Sequence, residues 1–224
     1  MRTFTCVVLA ATLGLPSTAL ALSFKPGLGI YGGWGTYSMS DINHDVQEVN
    51  RQLTGTGIRM SEIDNGFDFG LTGSADVGRR FSMGVGYDHL FGAVATDDRA
   101  RSLVYKLPAN ALRALAEYRL PRWGQWEPRL GIGGGFVSAF GLVEKASGVK
   151  GELDGHGPLG EGYAGVDWWP SPELGLSVSA GYRRARVEKL KIYGQTLRNT
   201  DGSNTSLDYS GALLRLGIKL GIGR

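Results

Sequence analysis

The chain has 224 residues, of which 36 are glycine and one is cysteine, and its formal net charge is +3. This length suits one domain, and an all-β domain can occupy all of it. The small and scattered net charge gives no support to nucleic-acid binding.

Residues 1–21 are predicted to be a secretory signal peptide. Arg2 precedes an apolar stretch at 4–15, and the small-residue triplet Ala19-Leu20-Ala21 follows it. The apolar stretch is shorter than the roughly 20 residues that a membrane-spanning helix needs. We therefore expect cleavage after Ala21, which leaves residues 22–224 as the exported domain. The only cysteine is inside the signal, so this domain should have no thiol, disulfide or cysteine metal site.

Eight segments of the exported chain alternate between apolar residues and small or polar ones, a pattern typical of β-strands with two unlike faces. They cover residues 27–38, 67–78, 81–91, 110–120, 129–142, 161–169, 174–186 and 209–224. After the second, fourth and sixth segments the connections are short. After the first, third, fifth and seventh they are long and polar, at residues 39–65, 92–109, 143–160 and 187–206.

This arrangement predicts an all-β fold, an eight-stranded antiparallel up-and-down transmembrane β-barrel of the outer membrane of a Gram-negative bacterium. Even strand numbers, with short periplasmic turns and long extracellular loops, are the plan of such barrels. No segment after residue 22 approaches 18 consecutive apolar residues, which argues against helical spans. A lipocalin-like periplasmic barrel, with its apolar row around a ligand, is the alternative fold.

One stretch, residues 40–53, departs from the strand pattern. Its apolar residues recur at helical spacing behind Ser40, a suitable N-cap. We predict a short amphipathic helix in the first extracellular loop, which either covers the barrel mouth or inserts into it. Its apolar face would consist of Ile42, Val46, Val49 and Leu53.

Aromatic residues gather near the ends of the predicted strands, where the interface girdles of membrane barrels lie. The short-turn girdle would contain Trp123, Trp126, Trp168 and Trp169, and the loop-side girdle Trp34, Tyr37, Tyr87, Phe91, Phe140 and Tyr182.

The hairpin "GEGYAGVDWWPSPELGLSVSAGYR" at residues 160–183 resembles one found in small eight-stranded outer-membrane proteins of the porin-like β-barrel superfamily. The resemblance implies the barrel fold, but it identifies no functional subfamily. Members usually end in an aromatic residue that the barrel-assembly machinery recognises. This chain instead ends Ile222-Gly223-Arg224, although alternating apolar residues precede that end.

Strand parity points twelve charged side chains into the barrel. The acidic set is Asp68, Asp76, Asp88, Glu117, Glu161 and Asp167, and the basic set is Arg113, Arg119, Arg129, Arg183, Arg215 and Lys219. An eight-stranded barrel is filled by its own side chains, and charges removed from water need partners. We therefore predict a matched ion-pair network that fills the lumen. The alternative is a narrow path for water or small solutes.

The histidines are the only starting point for an enzymatic reading. His89 follows Asp88 at the loop end of the third segment, where outer-membrane lipid A-modifying enzymes place a histidine with Ser or Asp. A base needs a partner within hydrogen-bond reach, which sequence alone does not establish. His44 and His156 are expected in solvated loops. We predict no catalytic residue, no enzymatic activity, no metal site and no cofactor.

The expected role is therefore structural or surface-interacting, in a monomer held in the cell outer membrane. The expected partners are outer-membrane lipids, lipopolysaccharide and, during biogenesis, the barrel-assembly machinery. The basic run "YRRARVEKLK" at residues 182–191 either contacts lipopolysaccharide phosphates or is a solvated strand extension.

Overall fold

The computed structural model describes residues 25–52, 54–55, 57, 59–91, 94–95, 103–145, 150–199 and 202–221. The predicted signal peptide, Leu53 and the last three residues lie outside these ranges. Within them, no helix is long and apolar enough to cross a membrane.

The described residues form one helix and twelve strands, of which eight are long. The long strands are β1 (Lys25–Thr36), β2 (Asn65–Val77), β3 (Phe81–Phe91), β6 (Ala109–Arg119), β7 (Trp126–Lys145), β8 (Lys150–Trp168), β9 (Leu174–Ile192) and β12 (Gly211–Gly221). The short strands are β4 (Val94–Ala95), β5 (Leu103–Lys106), β10 (Gln195–Thr196) and β11 (Leu207–Asp208). Helix α1 spans Ser40–Gln52.

The eight long strands form a closed antiparallel barrel in chain order. Each pairs with the next one, and β12 pairs with both β9 and β1, so that no long strand has a free edge. Closure satisfies the backbone hydrogen bonds that an open sheet would expose to lipid. The prediction of an eight-stranded up-and-down barrel with one short loop helix is confirmed.

The outward face of the barrel is a belt of exposed large apolar side chains. On β12 this face carries the aliphatic row Leu214, Leu216, Ile218 and Leu220. Trp34, Tyr87, Phe91, Phe140 and Tyr182 are also exposed on this face, as a loop-side girdle requires. Tyr37 and Trp169 were wrongly assigned to the girdles, because both are 6% exposed and point inwards.

The long loops contain more strand than the sequence predicted. β7 and β8 continue as a hairpin through most of residues 143–160, and β9 runs to Ile192. Near-continuous pairing between β7 and β8 holds this extension together. Its outward residues, among them Asp154, Arg184 and Arg186, are polar and exposed, so the barrel wall rises beyond the apolar belt.

Substitutions on the two faces of β12 should have unequal effects. Leu216 is 60% exposed on the outward face at mid-strand. We expect Leu216→Arg to lower the free energy of unfolding by about 2–4 kcal/mol in lipid vesicles, the cost of Arg near the bilayer midplane. Lys219→Gln, on the inward face, should cost on the order of 1 kcal/mol because glutamine still donates to Asp167. Urea titration of both variants measures this, and equal losses would mean that the faces are misassigned.

Candidate functional site: the barrel lumen

The lumen holds the charged side chains that strand parity directs inwards. All twelve residues of the predicted set lie on the inward face, and each of them has at least one partner of opposite charge within 4.0 Å. They are joined mainly by arginine, whose fork of donors can bond two carboxylates at once.

The loop-side half of the lumen is centred on Arg113 and Glu161. Their side chains are 2% and 0% exposed, and the Arg113 guanidinium lies 2.5 Å from the Glu161 carboxylate. Arg215 approaches the same carboxylate at 3.1 Å, and Asp88 lies 3.2 Å from Arg113. Tyr31 donates a hydrogen bond to Asp88 and accepts one from Arg113. One tightly bonded layer therefore crosses the barrel.

Asp68 and Arg183 continue this layer towards the loops. The Arg183 guanidinium is 3.4 Å from the Asp68 carboxylate and donates to the Tyr209 carbonyl at 3.2 Å. Arg215 is 3.6 Å from Asp68, so the pair joins the central cluster. The described charges of this half are matched, with three arginines (Arg113, Arg183 and Arg215) facing three acids (Asp68, Asp88 and Glu161).

A second layer occupies the half nearer the short turns. Arg129 binds Glu117 and lies 3.0 Å from the Asp167 carboxylate. Lys219 lies 2.8 Å from Asp167, and Tyr163 donates to Glu117 at 2.9 Å. These side chains form a ring of alternating sign around the lumen.

A third cluster surrounds Arg119 at the short-turn end of the lumen. It forms a two-pronged contact with Asp76 and lies 3.2 Å from Glu127. Glu127 is absent from the predicted luminal set because the sequence pattern places it in the turn at 121–128, whereas β7 begins at Trp126. Arg122, half exposed at the rim, also reaches Glu127 at 2.8 Å.

Water access falls from the short-turn end towards the loop end. A cavity of about 80 Å³ lies among the short-turn charges, reaches the β1 and β12 ends and stops at Tyr31, Arg113 and Arg215. This volume has room for several water molecules. The Lys219 side chain, beside the cavity, is 23% exposed, whereas those of Asp88 and Glu161 are fully buried. The lumen is therefore a blind cavity.

An apolar core under α1 closes the loop end. Ile42 and Val46 of the helix are buried in this core, and Val49 packs against it. Leu53, the fourth residue of the predicted apolar face, lies outside the described residues. The core also contains inward side chains of five strands, including Ala109 of β6, Val137 of β7, Leu153 of β8, Val187 of β9 and Leu207 of β11.

Polar contacts fix α1 in place over the mouth. The Asp41 carboxylate accepts hydrogen bonds from the backbone NH of Ser206 at 2.9 Å and from its hydroxyl at 2.8 Å. Asn43 bonds both backbone groups of Ile63. Burial raises the pKa of the Tyr209 phenol, which stays protonated and donates to the Leu107 carbonyl at 3.0 Å. The helix therefore covers the mouth and does not enter the charged lumen.

The histidines lie outside the lumen. His89 points outwards, away from its neighbour Asp88, and its Nδ1 is 2.8 Å from the Asn110 side-chain oxygen. His44 is exposed on α1, whereas His156 lies exposed on β8 and not in a loop as predicted. Among the described residues, no group of three or more His, Asp or Glu is positioned to hold a metal ion.

Comparison with known proteins identifies the fold. No protein-family model and no curated protein matches the sequence. A major outer membrane protein from Thermus thermophilus matches with a TM-score of 0.55 and 12% identity, over 88% of this chain and 99% of that one. Neisserial surface protein A matches with a TM-score of 0.52 and 12% identity, over 88% and 96%. The chain folds as a small outer-membrane β-barrel. Identities this low establish the fold alone.

The close packing of the lumen can be tested at two adjacent glycines on β1. A Cβ at Gly33 would lie 2.0 Å from the Asp68 carboxylate and 2.9 Å from the Arg215 side chain. A Cβ at Gly32, which faces outwards, would approach nothing closer than 4.0 Å. We expect Gly33→Ala to destabilise the barrel by about 1–3 kcal/mol, and Gly32→Ala to change stability by less than about 1 kcal/mol. Urea unfolding in vesicles compares them, and similar values would contradict a filled lumen.

The ion-pair layers should be far more sensitive to substitution than the rim. Arg113→Met leaves Asp88 and Glu161 with fewer partners in a buried site, where removal of one partner costs about 3–5 kcal/mol. Arg122→Gln at the exposed rim should cost less than about 1 kcal/mol. The same unfolding titration measures both variants. A loss below about 1 kcal/mol in Arg113→Met would show that the layer contributes no more than a surface ion pair.

Proposed function

We propose that this chain is an integral barrel of the outer membrane that does not conduct and has a structural or surface-interaction role. The observation that carries this proposal is the closed lumen. Solutes that enter the blind cavity meet the Arg113 layer and, beyond it, the apolar core under α1. Among the residues that the structure describes, the luminal charges are matched, so they form no ring of one sign that could select an ion.

The proposed location is supported by the outward belt of apolar side chains and by the fold. A belt of this kind is unstable in water and matches the hydrocarbon region that outer-membrane barrels span. We propose export through a cleaved signal peptide at residues 1–21, followed by insertion by the barrel-assembly machinery. The C-terminal residues 222–224, which lack the usual aromatic residue, lie outside the described ranges.

The proposed partners are outer-membrane lipids and lipopolysaccharide around a monomeric barrel. The wall above the belt carries the exposed cations Arg184, Arg186 and Lys191 on β9. Arg186 has local contacts with Ser206 and Glu188. Arg184 is the next outward residue after the girdle residue Tyr182 on β9. Lipopolysaccharide phosphates are suitable ligands for arginine at this height.

The second candidate, a narrow path for water or small solutes, is favoured by the cavity alone. The cavity on the short-turn side already supplies part of such a path. Conduction would require the Arg113 layer to open and α1 to leave the mouth, which means that two independent closures must be released.

Planar-bilayer recording distinguishes the two candidates. We expect the wild-type barrel, refolded and heat-modifiable on a gel, to produce no conductance steps. Arg215→Ala should remain silent, because the apolar core still closes the loop end after the charged layer is weakened. The large channel of a general porin serves as the positive control for insertion.

Wild-type conductance that Arg215→Ala or Asp167→Asn alters would reject the closed barrel and establish the path. Release of the protein by carbonate washing without detergent would reject the membrane barrel itself, in favour of a periplasmic one.

A further inference from the structure

A row of polar side chains crosses the outward wall near the loop-side end of the apolar belt. Consecutive members are register partners on neighbouring strands: His89 with Asn110, Asn110 with Ser138, Ser138 with His156, and His156 with Glu188. Partners on one face of an antiparallel pair have Cβ atoms about 4.5–5.5 Å apart. Five strands therefore place these five side chains next to one another.

Ser138 lies among aromatic residues at the loop-side end of the apolar belt. On β7 its neighbours on the same face are Phe136 and Phe140, both exposed. The His89 ring stacks edge-on against Phe91 at 4.6 Å and lies 6.2 Å from Phe140, so this surface is continuous from β3 to β7. Aromatic belts lie at the lipid headgroups. This is also the depth at which ester bonds join acyl chains to a lipid headgroup.

We propose that Ser138, His156 and Glu188 form a hydrolase site for ester-linked acyl chains of membrane lipids. The three residues follow the order in which a triad acts, with the nucleophile on β7, the general base on β8 and the positioning carboxylate on β9. The proposal goes beyond the structural role given above. It also departs from the sequence-based expectation of no catalytic residue.

Asn110 is suited to stabilise the oxyanion on the other side of Ser138. Its side-chain oxygen accepts a hydrogen bond from the Tyr87 hydroxyl at 2.7 Å and contacts His89 Nδ1 at 2.8 Å. Both partners belong to β3, so the amide oxygen is held towards that strand. The NH₂ group is the end that can donate to a negative charge developing beside Ser138.

The β-ladder is irregular directly beyond Glu188. The pairing of β8 with β9 shifts between His156 with Glu188 and Asp154 with Lys191, which leaves one extra residue on β9. Such bulges bend a strand, redirect its side chains and occur often next to active sites. The Glu188 carboxylate is 65% exposed and makes a long, 3.9 Å surface contact with Arg186, which it would exchange for His156 in the active arrangement.

The reaction needs only the ester and water. Ser138 Oγ attacks the ester carbonyl while His156 takes its proton, and collapse of the tetrahedral intermediate releases the lipid alcohol, which receives that proton. Water then attacks the acyl-serine with His156 as base, and the fatty acid leaves as Ser138 is restored. Ser138 and His156 share no hydrogen bond in the structure. Bonds of this kind are often long before substrate binds and shorten in the complex.

A fluorophosphonate probe tests the nucleophile directly. Protein refolded from inclusion bodies, which carries no cellular lipase, should be labelled on Ser138. Ser138→Ala should lose the label, whereas the matched variant Ser171→Ala, in the exposed β8–β9 turn, should retain it. Heat-modifiable migration shows that each variant is folded. Absence of wild-type labelling, or labelling that persists in Ser138→Ala, overturns the proposal.

Fatty-acid release identifies the lipid and the roles of the partners. Vesicles of phospholipid alone and vesicles that also contain lipopolysaccharide are incubated with the full chain. Release from the first assigns phospholipid esters, and release only from the second assigns lipopolysaccharide esters. His156→Ala should lower the rate at least about 10²-fold, whereas His44→Ala on α1 should leave it unchanged. Release from neither vesicle overturns the proposal.

Glu188 has a separate test because it acts through His156. Glu188→Gln should lower kcat by at least about tenfold with little change in KM, since it affects the orientation and charge of the base and not lipid binding. Glu188→Asp should restore part of the rate. Equal rates for the wild type and Glu188→Gln would remove Glu188 from the site and overturn the proposed triad.

Discussion

The barrel depends on one constraint: charges withdrawn from water into its lumen must meet partners there. A buried carboxylate or guanidinium without a partner costs several kcal/mol. Each half of the lumen meets this requirement separately, with Glu161 shared by Arg113 and Arg215 in one half and Asp167 shared by Arg129 and Lys219 in the other. The inward glycines follow from the same constraint, because a Cβ at such positions would occupy the space of these side chains.

The two halves of the lumen are filled by different physical means. Towards the short turns the filling is ionic and leaves room for water, and the cavity ends at the layer of Arg113. Towards the loops it is apolar, with Ile42 and Val46 of α1 buried as in a soluble protein. The filling changes from ionic to apolar near Arg183, which pairs with Asp68 on one side and donates a hydrogen bond to the Tyr209 carbonyl on the other. The wall itself rises beyond the apolar belt because the extended β7, β8 and β9 must enclose the apolar core.

Sequence periodicity predicts the faces of this barrel well and its contacts poorly. A period of two is sufficient to direct Arg215 and Lys219 inwards and Leu216 outwards, because parity is a local property. Glu127 was missed since a small error in a strand boundary changes its assignment. Tyr37 and Trp169 were misplaced because an aromatic residue at a strand end can face either way. The row from His89 to Glu188 depends on the register between five strands, which no single-segment pattern contains.

The ion pairs of the lumen join residues that are far apart along the chain, and this affects how the barrel can assemble. Asp68 and Arg183 are separated by 115 positions, and Arg215 must find Asp68, Asp88 and Glu161 on three earlier strands. A partly closed sheet in lipid would expose these charges before their partners arrive, at a prohibitive cost. For the proposed membrane barrel we therefore expect insertion and closure to be coupled, because pairing of β12 with β1 and β9 completes the charge balance and closes the wall in the same step.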